Sequence, residues 1–495
     1  MRPMSERSVK IGGFLAGLGV FAALALLDSP LQHYGEYGAR PALAAGIALL
    51  MAIWWLTNAV SMYLTALVPL VVFPFTNVFA ADAVDNAIGA LKPYADPYIF
   101  LFMGGMLVAA AMQQWNLHQR IALVTMRAIG TQPSRLLFGF LCATTFISLW
   151  ISNTATAAMM MPIGLALIAQ FELHAGRRLT YYGSALMLSI AYGSNIGGVG
   201  TKIGTAPNGL FASFMGQRGM EVSFFEFMAV GLPFVMVFTP LVWWALWRVG
   251  RRDELADEAG AETVEAELRK LGTMQRPEWI VLGTFAVTVV AWMLSGPITG
   301  ALSESGVGAP LGDKWTTAQT EGATAMLAAL VLLLWPVDKT RALALPSFRF
   351  VPWSSLVLLG GAFSMAASIQ ASGLSLWLGD QLADLRAQPP FLQVVIASLA
   401  TVGLSAFASN TATVAVMLNV LHGSVATAYV PTVLFAATIS ASCDFALPAG
   451  TPPNAIVFAS GYVSVPRMVR TGVPLDIAAA LLAAGWCWLI VRFVL

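Results

Sequence analysis

The chain has 495 residues, of which 58% are hydrophobic and only 10% are charged, and its net charge is +1. A soluble protein could not cover so much apolar surface with so little charge, so we expect an all-α polytopic membrane protein. The near-neutral charge excludes an electrostatic surface for nucleic acid. The three cysteines, Cys142, Cys443 and Cys487, lie far apart and have neither disulfide nor metal-ligand spacing.

The first half of the chain, residues 1–247, is predicted to contain six spans and one re-entrant hairpin. The hairpin is expected at about 136–171, where an apolar stretch too long for one span is interrupted by Ser152-Asn153-Thr154. A broken span is expected at about 181–215, because glycines between 193 and 200 favour unwinding. The other five spans are predicted at residues 11–27, 42–56, 61–79, 99–112 and 227–247.

The second half, residues 279–495, is predicted to repeat this plan after a charged linker at 248–278. A second hairpin is expected at about 391–421, interrupted by Ser409-Asn410-Thr411, and a second broken span at about 430–461. An amphipathic segment at 347–353 leads into a span through Gly360-Gly361. Further spans are predicted at residues 279–294, 322–335 and 473–494. The prediction totals about eleven spans and two hairpins.

Three short motifs occur once in each half and in the same order. They lie at offsets of 256, 257 and 246 residues, which indicates an internal duplication. The pairs are Gly104-Gly105 with Gly360-Gly361, Ser152 to Thr156 with Ser409 to Thr413, and Gly204 to Asn208 with Gly450 to Asn454.

The positive-inside rule gives the orientation. With the N-terminus and the linker in the cytoplasm, most Lys and Arg residues beside the spans fall on the cytoplasmic side. The first hairpin then enters from the cytoplasm and the second from outside, so the two halves are inverted relative to each other. Such inversion is typical of transporters that work by alternating access.

The hairpin tips have the chemistry of an ion and anion site. The free backbone donors at a helix N-terminus suit a carboxylate, and free carbonyl and side-chain oxygens suit a hard cation such as sodium. The walls that face the hairpin tips are predicted to be Thr205 to Asn208 and Thr451 to Asn454. Pro207 and Pro452 have no N–H and so leave backbone carbonyls unpaired, and the threonines supply hydroxyls. A single buried polar residue usually only joins helices, but duplication of these motifs favours a divided binding site.

These paired motifs, with Leu447 to Val457 as the most specific segment, resemble the divalent anion/sodium symporter family of dicarboxylate, citrate and sulfate carriers. The likeness covers essentially the whole chain. It implies a homodimer in which a transport domain moves against a scaffold as an elevator. It also implies that substrate carboxylates meet Asn153, Thr154, Thr205, Asn410, Thr411 and Thr451. The sodium sites that it implies are formed by Ser148, Ser152, Asn153 and Gly204, and by Ser405, Ala408, Asn410 and Gly450.

Two charged residues depart from the uncharged pattern expected of the family, Lys202 in the first broken loop and Asp444 just before the second. One hypothesis is that the Lys202 ammonium reduces or replaces the sodium requirement, with Asp444 as its counter-charge. The alternative is structural: Lys202 reaches a wet surface or free carbonyls, and Asp444 caps a broken helix.

The resulting prediction is a sodium-coupled secondary carrier of small dianions such as succinate, malate or fumarate, located in the cell (inner) membrane. A sodium-independent anion exchanger, a carrier of citrate or sulfate, and a subunit of an arsenite or other ion pump are the alternatives. An enzyme has little support, because the chain contains no His-Glu-x-x-His or Gly-x-Ser-x-Gly motif.

Overall fold

The computed structural model describes residues 6–130, 132–253, 259–305, 315–337, 340–381 and 383–495. Most elements in these ranges are α-helices, as the composition predicts, and the others are short 3₁₀ helices and one pair of strands. The helices up to the linker are α1 (Glu6–Leu26), α2 (Arg40–Thr57), α3 (Met62–Thr65), α4 (Val68–Val72), α5 (Ala83–Leu91), α6 (Pro97–Gln114), α7 (Leu117–Ile129), α8 (Pro133–Ser148), α9 (Asn153–Ala175), α10 (Thr180–Val199), α11 (Ala206–Gly216), α12 (Phe224–Gly250) and α13 (Ala259–Leu271).

The remaining helices follow a similar order. They are α14 (Arg276–Met293), α15 (Ser295–Glu304), α16 (Thr317–Leu334), α17 (Trp353–Ala371), α18 (Leu374–Gln381), α19 (Ala383–Arg386), α20 (Pro390–Ser405), α21 (Asn410–Ser424), α22 (Val430–Ser442), α23 (Pro452–Phe458) and α24 (Val465–Val494). Two short antiparallel strands, β1 (Pro336–Val337) and β2 (Thr340–Arg341), pair Pro336 with Arg341.

Six helical stretches of the described chain are long and apolar enough to cross a membrane, or seven if the bent pair α14 and α15 is one span. The six are Ala83–Gln114, Asn153–Ala175, Phe224–Gly250, Thr317–Leu334, Trp353–Ala371 and Val465–Val494. The other expected spans are built from shorter or broken helices. The span predicted at residues 61–79 is divided by Pro69 and Pro74 into α3, α4 and a 3₁₀ turn at Phe73–Phe75.

The two regions expected to form hairpins each consist of two helices that meet at a polar turn. Helices α8 and α9 are separated by residues 149–152, and α20 and α21 by residues 406–409. The segment expected to be a charged linker contains α13, while its residues 254–258 lie outside the described chain.

The expected break of the fifth span lies later than predicted. Helix α10 continues through the glycines to Val199, and the chain unwinds only between Gly200 and Thr205. The glycines permit close contact rather than unwinding: a Cβ at Gly197 would lie 2.1 Å from the Thr145 carbonyl of α8. Helix α10 can therefore lie directly against the first hairpin.

Helix α10 is the centre of the core and is buried from Tyr182 to Val199. It packs against α8, α9 and α12 from its own half and against α23 from the other half. In turn, α11 packs against α21 and α22. Each broken span thus sends its second segment toward the hairpin of the opposite half, which brings the duplicated motifs into one region.

Candidate functional site

The first polar tip lies between α8 and α9. Asn153 begins α9, and the Ser152 hydroxyl caps this helix by accepting a backbone N–H of the first turn at 3.4 Å. The fully buried Ser148 hydroxyl donates to the Ser194 carbonyl at 2.7 Å. In the amide orientation that satisfies its neighbours, Asn153 Nδ2 donates to Ser148 Oγ at 3.0 Å and to the carbonyls of Ser194 and Gly204 at 3.1 and 3.3 Å.

The second tip repeats this arrangement between α20 and α21. Asn410 begins α21, and the Ser409 hydroxyl caps it at 3.3 Å. The buried Ser405 hydroxyl lies 2.9 Å from Asn410 Oδ1 and 2.7 Å from the Ala441 carbonyl of α22. A hydroxyl donates only one proton, so Ser405 donates to one of these two oxygens, and the other oxygen receives no proton from Ser405. The two tips are therefore alike in their capping and in their serine-to-carbonyl contact.

The tips contain oxygen atoms of the kind that bind sodium. Hydroxyl, amide and backbone carbonyl oxygens are the ligands that hard cations take, and hydroxyl and carbonyl oxygens lie together inside the protein at both tips. At the first tip the Asn153 amide nitrogen donates to these oxygens, so binding of an ion there requires the amide to turn its oxygen inward. The structure brings together Ser148, Asn153 and Gly204 at the first tip and Ser405 and Asn410 at the second, as the family resemblance implies. Ser152 caps α9 instead, Ala408 is buried in the second tip, and Gly450 lies against the Asp444 side chain.

The facing walls are the N-termini of α11 and α23. Thr205 precedes α11 and Thr451 precedes α23, and Pro207 and Pro452 lie in the first turns of these helices. Asn208 and Asn454 close the two loops in the same way: Asn208 Nδ2 donates to the carbonyls of Gly198 and Thr201 at 2.8 and 2.6 Å. Asn454 Nδ2 donates to those of Asp444 and Leu447 at 3.2 and 2.9 Å.

The threonines differ in exposure. Thr154 is exposed and Thr205 is half-buried, and the Thr205 side chain makes no capping hydrogen bond. Thr411 and Thr451 are buried, and the Thr451 hydroxyl accepts from Asn195 Nδ2 at 3.2 Å. The first half therefore presents more accessible hydroxyls than the second.

Lys202 forms a buried ion pair that is not the expected one. Its Nζ lies 2.7 and 3.0 Å from the two carboxylate oxygens of Glu321 on α16, and both side chains are fully buried. The Phe224 amide and the Ser295 hydroxyl also donate to Glu321, at 2.7 and 3.0 Å. The expectation that Asp444 is the counter-charge of Lys202 is therefore wrong. The alternative in which Lys202 reaches a wet surface is wrong too.

Asp444 is buried on the other side of the site. Its backbone carbonyl accepts from Asn195 Nδ2 at 2.9 Å, but neither carboxylate oxygen accepts a well-formed hydrogen bond from the described residues. It does not cap the following helix, because Thr451 has that role in α23. The structural role expected of Asp444 is therefore also wrong.

Comparison with known proteins decides the family. The family model for the sodium:sulfate symporter transmembrane region matches residues 38–494. The chain belongs to this family, the divalent anion/sodium symporters. It is 34% identical over 485 residues to the sodium-dependent dicarboxylate transporter SdcS of Staphylococcus aureus strain USA300, covering 95% of this chain and 90% of SdcS, and equally to SdcS of strain NCTC 8325.

Family membership makes the chain an integral membrane transporter rather than an enzyme. The fold has a solved counterpart in the YdaH transporter of Alcanivorax borkumensis. The two share 15% sequence identity and superimpose with a TM-score of 0.55, and the match covers 99% of each chain. This likeness concerns the fold alone.

Two residues of this symporter's site were missed by the sequence reasoning. Glu321 lies directly before the apolar stretch predicted to be a span and belongs to neither copy of a duplicated motif. Asn195 falls within the stretch predicted to unwind, yet it lies in α10 and joins the halves through Asp444 and Thr451. A charged residue at the edge of an apolar span, with a second one in a glycine-rich loop, was the available signal.

A cavity of about 460 Å³ lies elsewhere, between the α5–α6 connection and α17. Its polar lining includes Lys92, Asp96, Gln217 and Gln370. None of the predicted site residues lines it, so this cavity is separate from the hairpin tips.

Proposed function

We propose that this symporter carries small dicarboxylates such as succinate, malate or fumarate into the cell together with sodium. The observation that carries the proposal is the duplicated tip, in which a buried serine, an asparagine and a backbone carbonyl meet in both halves. The 34% identity to a sodium-dependent dicarboxylate transporter supports the same substrate class and coupling ion.

The substrate carboxylates would lie at the N-termini of α9 and α21. These helix ends offer unpaired backbone N–H groups and the positive end of the helix dipole, which favour an anion. Asn153, Thr154, Asn410 and Thr411 lie there, and Thr205, Pro207, Thr451 and Pro452 form the walls. Sodium ions beside the tips would neutralise the approaching dianion, so that ion and substrate bind better together than alone.

The mechanism that we propose is an elevator of two inverted repeats. The repeats correspond to residues 1–247 and 279–495, joined by a cytoplasmic linker at 248–278, with the N-terminus in the cytoplasm. The transport domain would contain both hairpins and both broken spans, in keeping with the packing of α11 on α21 and of α23 on α9. The scaffold would form a homodimer in the cell membrane.

The test is uptake of radiolabelled succinate by proteoliposomes with and without an inward sodium gradient. Sodium-dependent accumulation above the external concentration is the expected result. Uptake that needs internal dicarboxylate but no sodium would favour the alternative of an exchanger, and preferential uptake of citrate or sulfate would change the substrate. Choline chloride in place of sodium chloride controls for ionic strength.

One observation favours the exchanger: the ammonium group of Lys202 belongs to the first broken loop. A tethered cation would reduce the need for sodium. The pairing of Lys202 with Glu321 favours the sodium-coupled symporter over the exchanger, because Glu321 already balances the charge of the ammonium.

A further inference from the structure

The two broken loops are built alike, but one position differs in charge. Gly204 and Asn208 of the first loop correspond to Gly450 and Asn454 of the second at an offset of 246 residues, and the same offset relates Gly198 to Asp444. The contacts agree, because Asn208 donates to the Gly198 carbonyl and Asn454 to the Asp444 carbonyl. The second half therefore places a carboxylate where the first half has no side chain.

The Asp444 carboxylate is buried without a partner among the described residues. The residue is fully buried, and neither Oδ1 nor Oδ2 accepts a well-formed hydrogen bond, although the Ala446 amide faces the group. Within the described residues no Lys or Arg forms an ion pair with Asp444, and Lys202 pairs with Glu321 instead. A buried carboxylate with neither donors nor a cation is strongly unfavourable, so the group must either carry a proton or bind a cation.

The carboxylate is directed toward the second broken loop. Its oxygens lie so close to Gly450 that a Cβ built there would be 1.8 Å from Oδ2. The side-chain oxygens of Asn195 and Asn454 also lack partners within the described chain, and both residues use their nitrogens on the Asp444 carbonyl. These bonds fix the amide orientations, so the unpartnered oxygens are acceptors and require a cation or a donor.

The neighbouring carboxylate does not resolve this imbalance. Asp476 on α24 accepts from the Phe445 amide at 2.8 Å, and Phe445 directly follows Asp444. Asp476 therefore adds negative charge near the loop and supplies no positive charge.

We propose that Asp444 is an anionic ligand for a monovalent cation at the second broken loop, a ligand that the first loop lacks. The identification of this cation as sodium rests on the proposed function. The ion would lie between the Asp444 carboxylate and the loop at Gly450, with the Asn195 and Asn454 oxygens on the same side. The two halves would then bind cations unequally, the second more tightly because it carries its own negative charge.

Sodium binding to the purified full-length protein tests this inference without transport. Thermal unfolding is followed while sodium chloride replaces choline chloride at constant ionic strength and fixed pH, in the absence of dicarboxylate. A ligand that binds only the folded state raises the melting temperature as its concentration rises. We expect Asp444→Asn to raise the apparent sodium Kd at least about tenfold, because it removes the charged ligand and keeps the shape.

Asp476→Asn is the matched control. It removes a buried carboxylate from the same region and keeps an acceptor for the Phe445 amide, but Asp444 and not Asp476 lies against Gly450, so we expect a clearly smaller rise in its sodium Kd than in that of Asp444→Asn. Equal sodium affinity in wild type and Asp444→Asn, or equal losses in both variants, overturns the inference. If wild type fails to take up succinate, the proposed function fails whatever the binding result.

A structure of the wild-type protein in sodium, compared with one in choline, keeps the inference testable if Asp444→Asn does not fold. Density for an ion in contact with an Asp444 carboxylate oxygen is the expected result. An ion at the second tip without contact to Asp444, or a carboxylate that is protonated and bonded to a protein acceptor, overturns the inference.

Discussion

Ser148 and Ser405 each connect a hairpin helix to a backbone carbonyl of the adjacent broken span, at 2.7 Å in both halves. Since these hydroxyls are fully buried, their loss leaves a carbonyl without its donor and the tip asparagine without its neighbour. The energetic cost of each removal is about 1–3 kcal/mol. At a tip that binds an ion, this cost appears in binding as well as in stability.

We expect Asn153→Ala and Asn410→Ala each to abolish sodium-driven succinate uptake while membrane insertion is retained, because each removes a group shared by ion and substrate. Uptake into proteoliposomes, normalised to inserted protein, measures the effect. Ser440→Ala is the matched control, since its hydroxyl donates to the Ala436 carbonyl of its own helix. Near wild-type transport by either asparagine variant would contradict the divided site.

Lys202→Ala tests whether a tethered ammonium does part of sodium's work. The substitution leaves Glu321 as a buried charge without its cation, so we expect a loss of about 3–5 kcal/mol in unfolding free energy. Lys202→Met combined with Glu321→Gln removes both charges and should recover much of that stability. Thermal unfolding of the single and double variants measures this recovery.

The same variants separate stability from coupling. Initial uptake is measured against sodium concentration for wild type and for the charge-free double variant. Superimposable curves would reject the hypothesis that Lys202 replaces sodium, and a new or steeper sodium requirement would support it. If the variants lose stability but keep the sodium dependence of wild type, the ion pair serves to attach the first broken loop to α16 and has no part in coupling.

At the scale of elements, α10 shows why its local structure was mispredicted. Glycines in sequence indicate unwinding, but in this packed helix they allow two backbones to approach. A Cβ at Gly198 would lie within 3.0 Å of the side-chain amide of Asn153, at the first tip. The contact partners of a glycine are set by tertiary packing, so no local pattern could distinguish an unwound segment from a close approach.

We therefore expect Gly198→Ala to impair uptake by at least about tenfold, because the added methyl group displaces the Asn153 side chain. Gly485→Ala on α24 is the control, since a methyl group there would have no atom of the described residues within 4 Å. Uptake rates and sodium affinities of the two variants are compared. Normal sodium affinity in Gly198→Ala would place Asn153 outside the first ion site.

The duplicated motifs themselves were predictable, because one identical pentapeptide, one pentapeptide with a single difference and one glycine pair recur in the same order, and this needs no tertiary information. The ion pair between Lys202 and Glu321 was not, because its partners are 119 residues apart and no repeat marks Glu321. Helices α5, α7 and α18 were not predicted either, because they are short and contain no long apolar run. The sequence therefore located the site residues that occur in both halves of the chain, and it missed the contacts that occur in only one of them.

At the scale of the whole molecule, the prediction concerns orientation. Glu265 on α13 pairs with Arg127 of α7 at 3.7 Å, and both side chains are exposed, so this face of the linker is accessible to reagents. The positive-inside rule predicts that it lies in the cytoplasm, because the linker and the neighbouring α7 both carry basic residues. The side of the membrane from which each hairpin enters depends on this assignment.

A cysteine at Glu265 in a background without Cys142, Cys443 and Cys487 decides the orientation. We expect a membrane-impermeant maleimide to label Glu265→Cys only in inside-out vesicles. His33→Cys is the comparison, because this exposed residue follows α1 and should face the opposite side of the membrane if α1 crosses it. If Glu265→Cys is labelled from outside in intact cells, the N-terminus is outside. In that case the first hairpin enters from outside and the second from the cytoplasm.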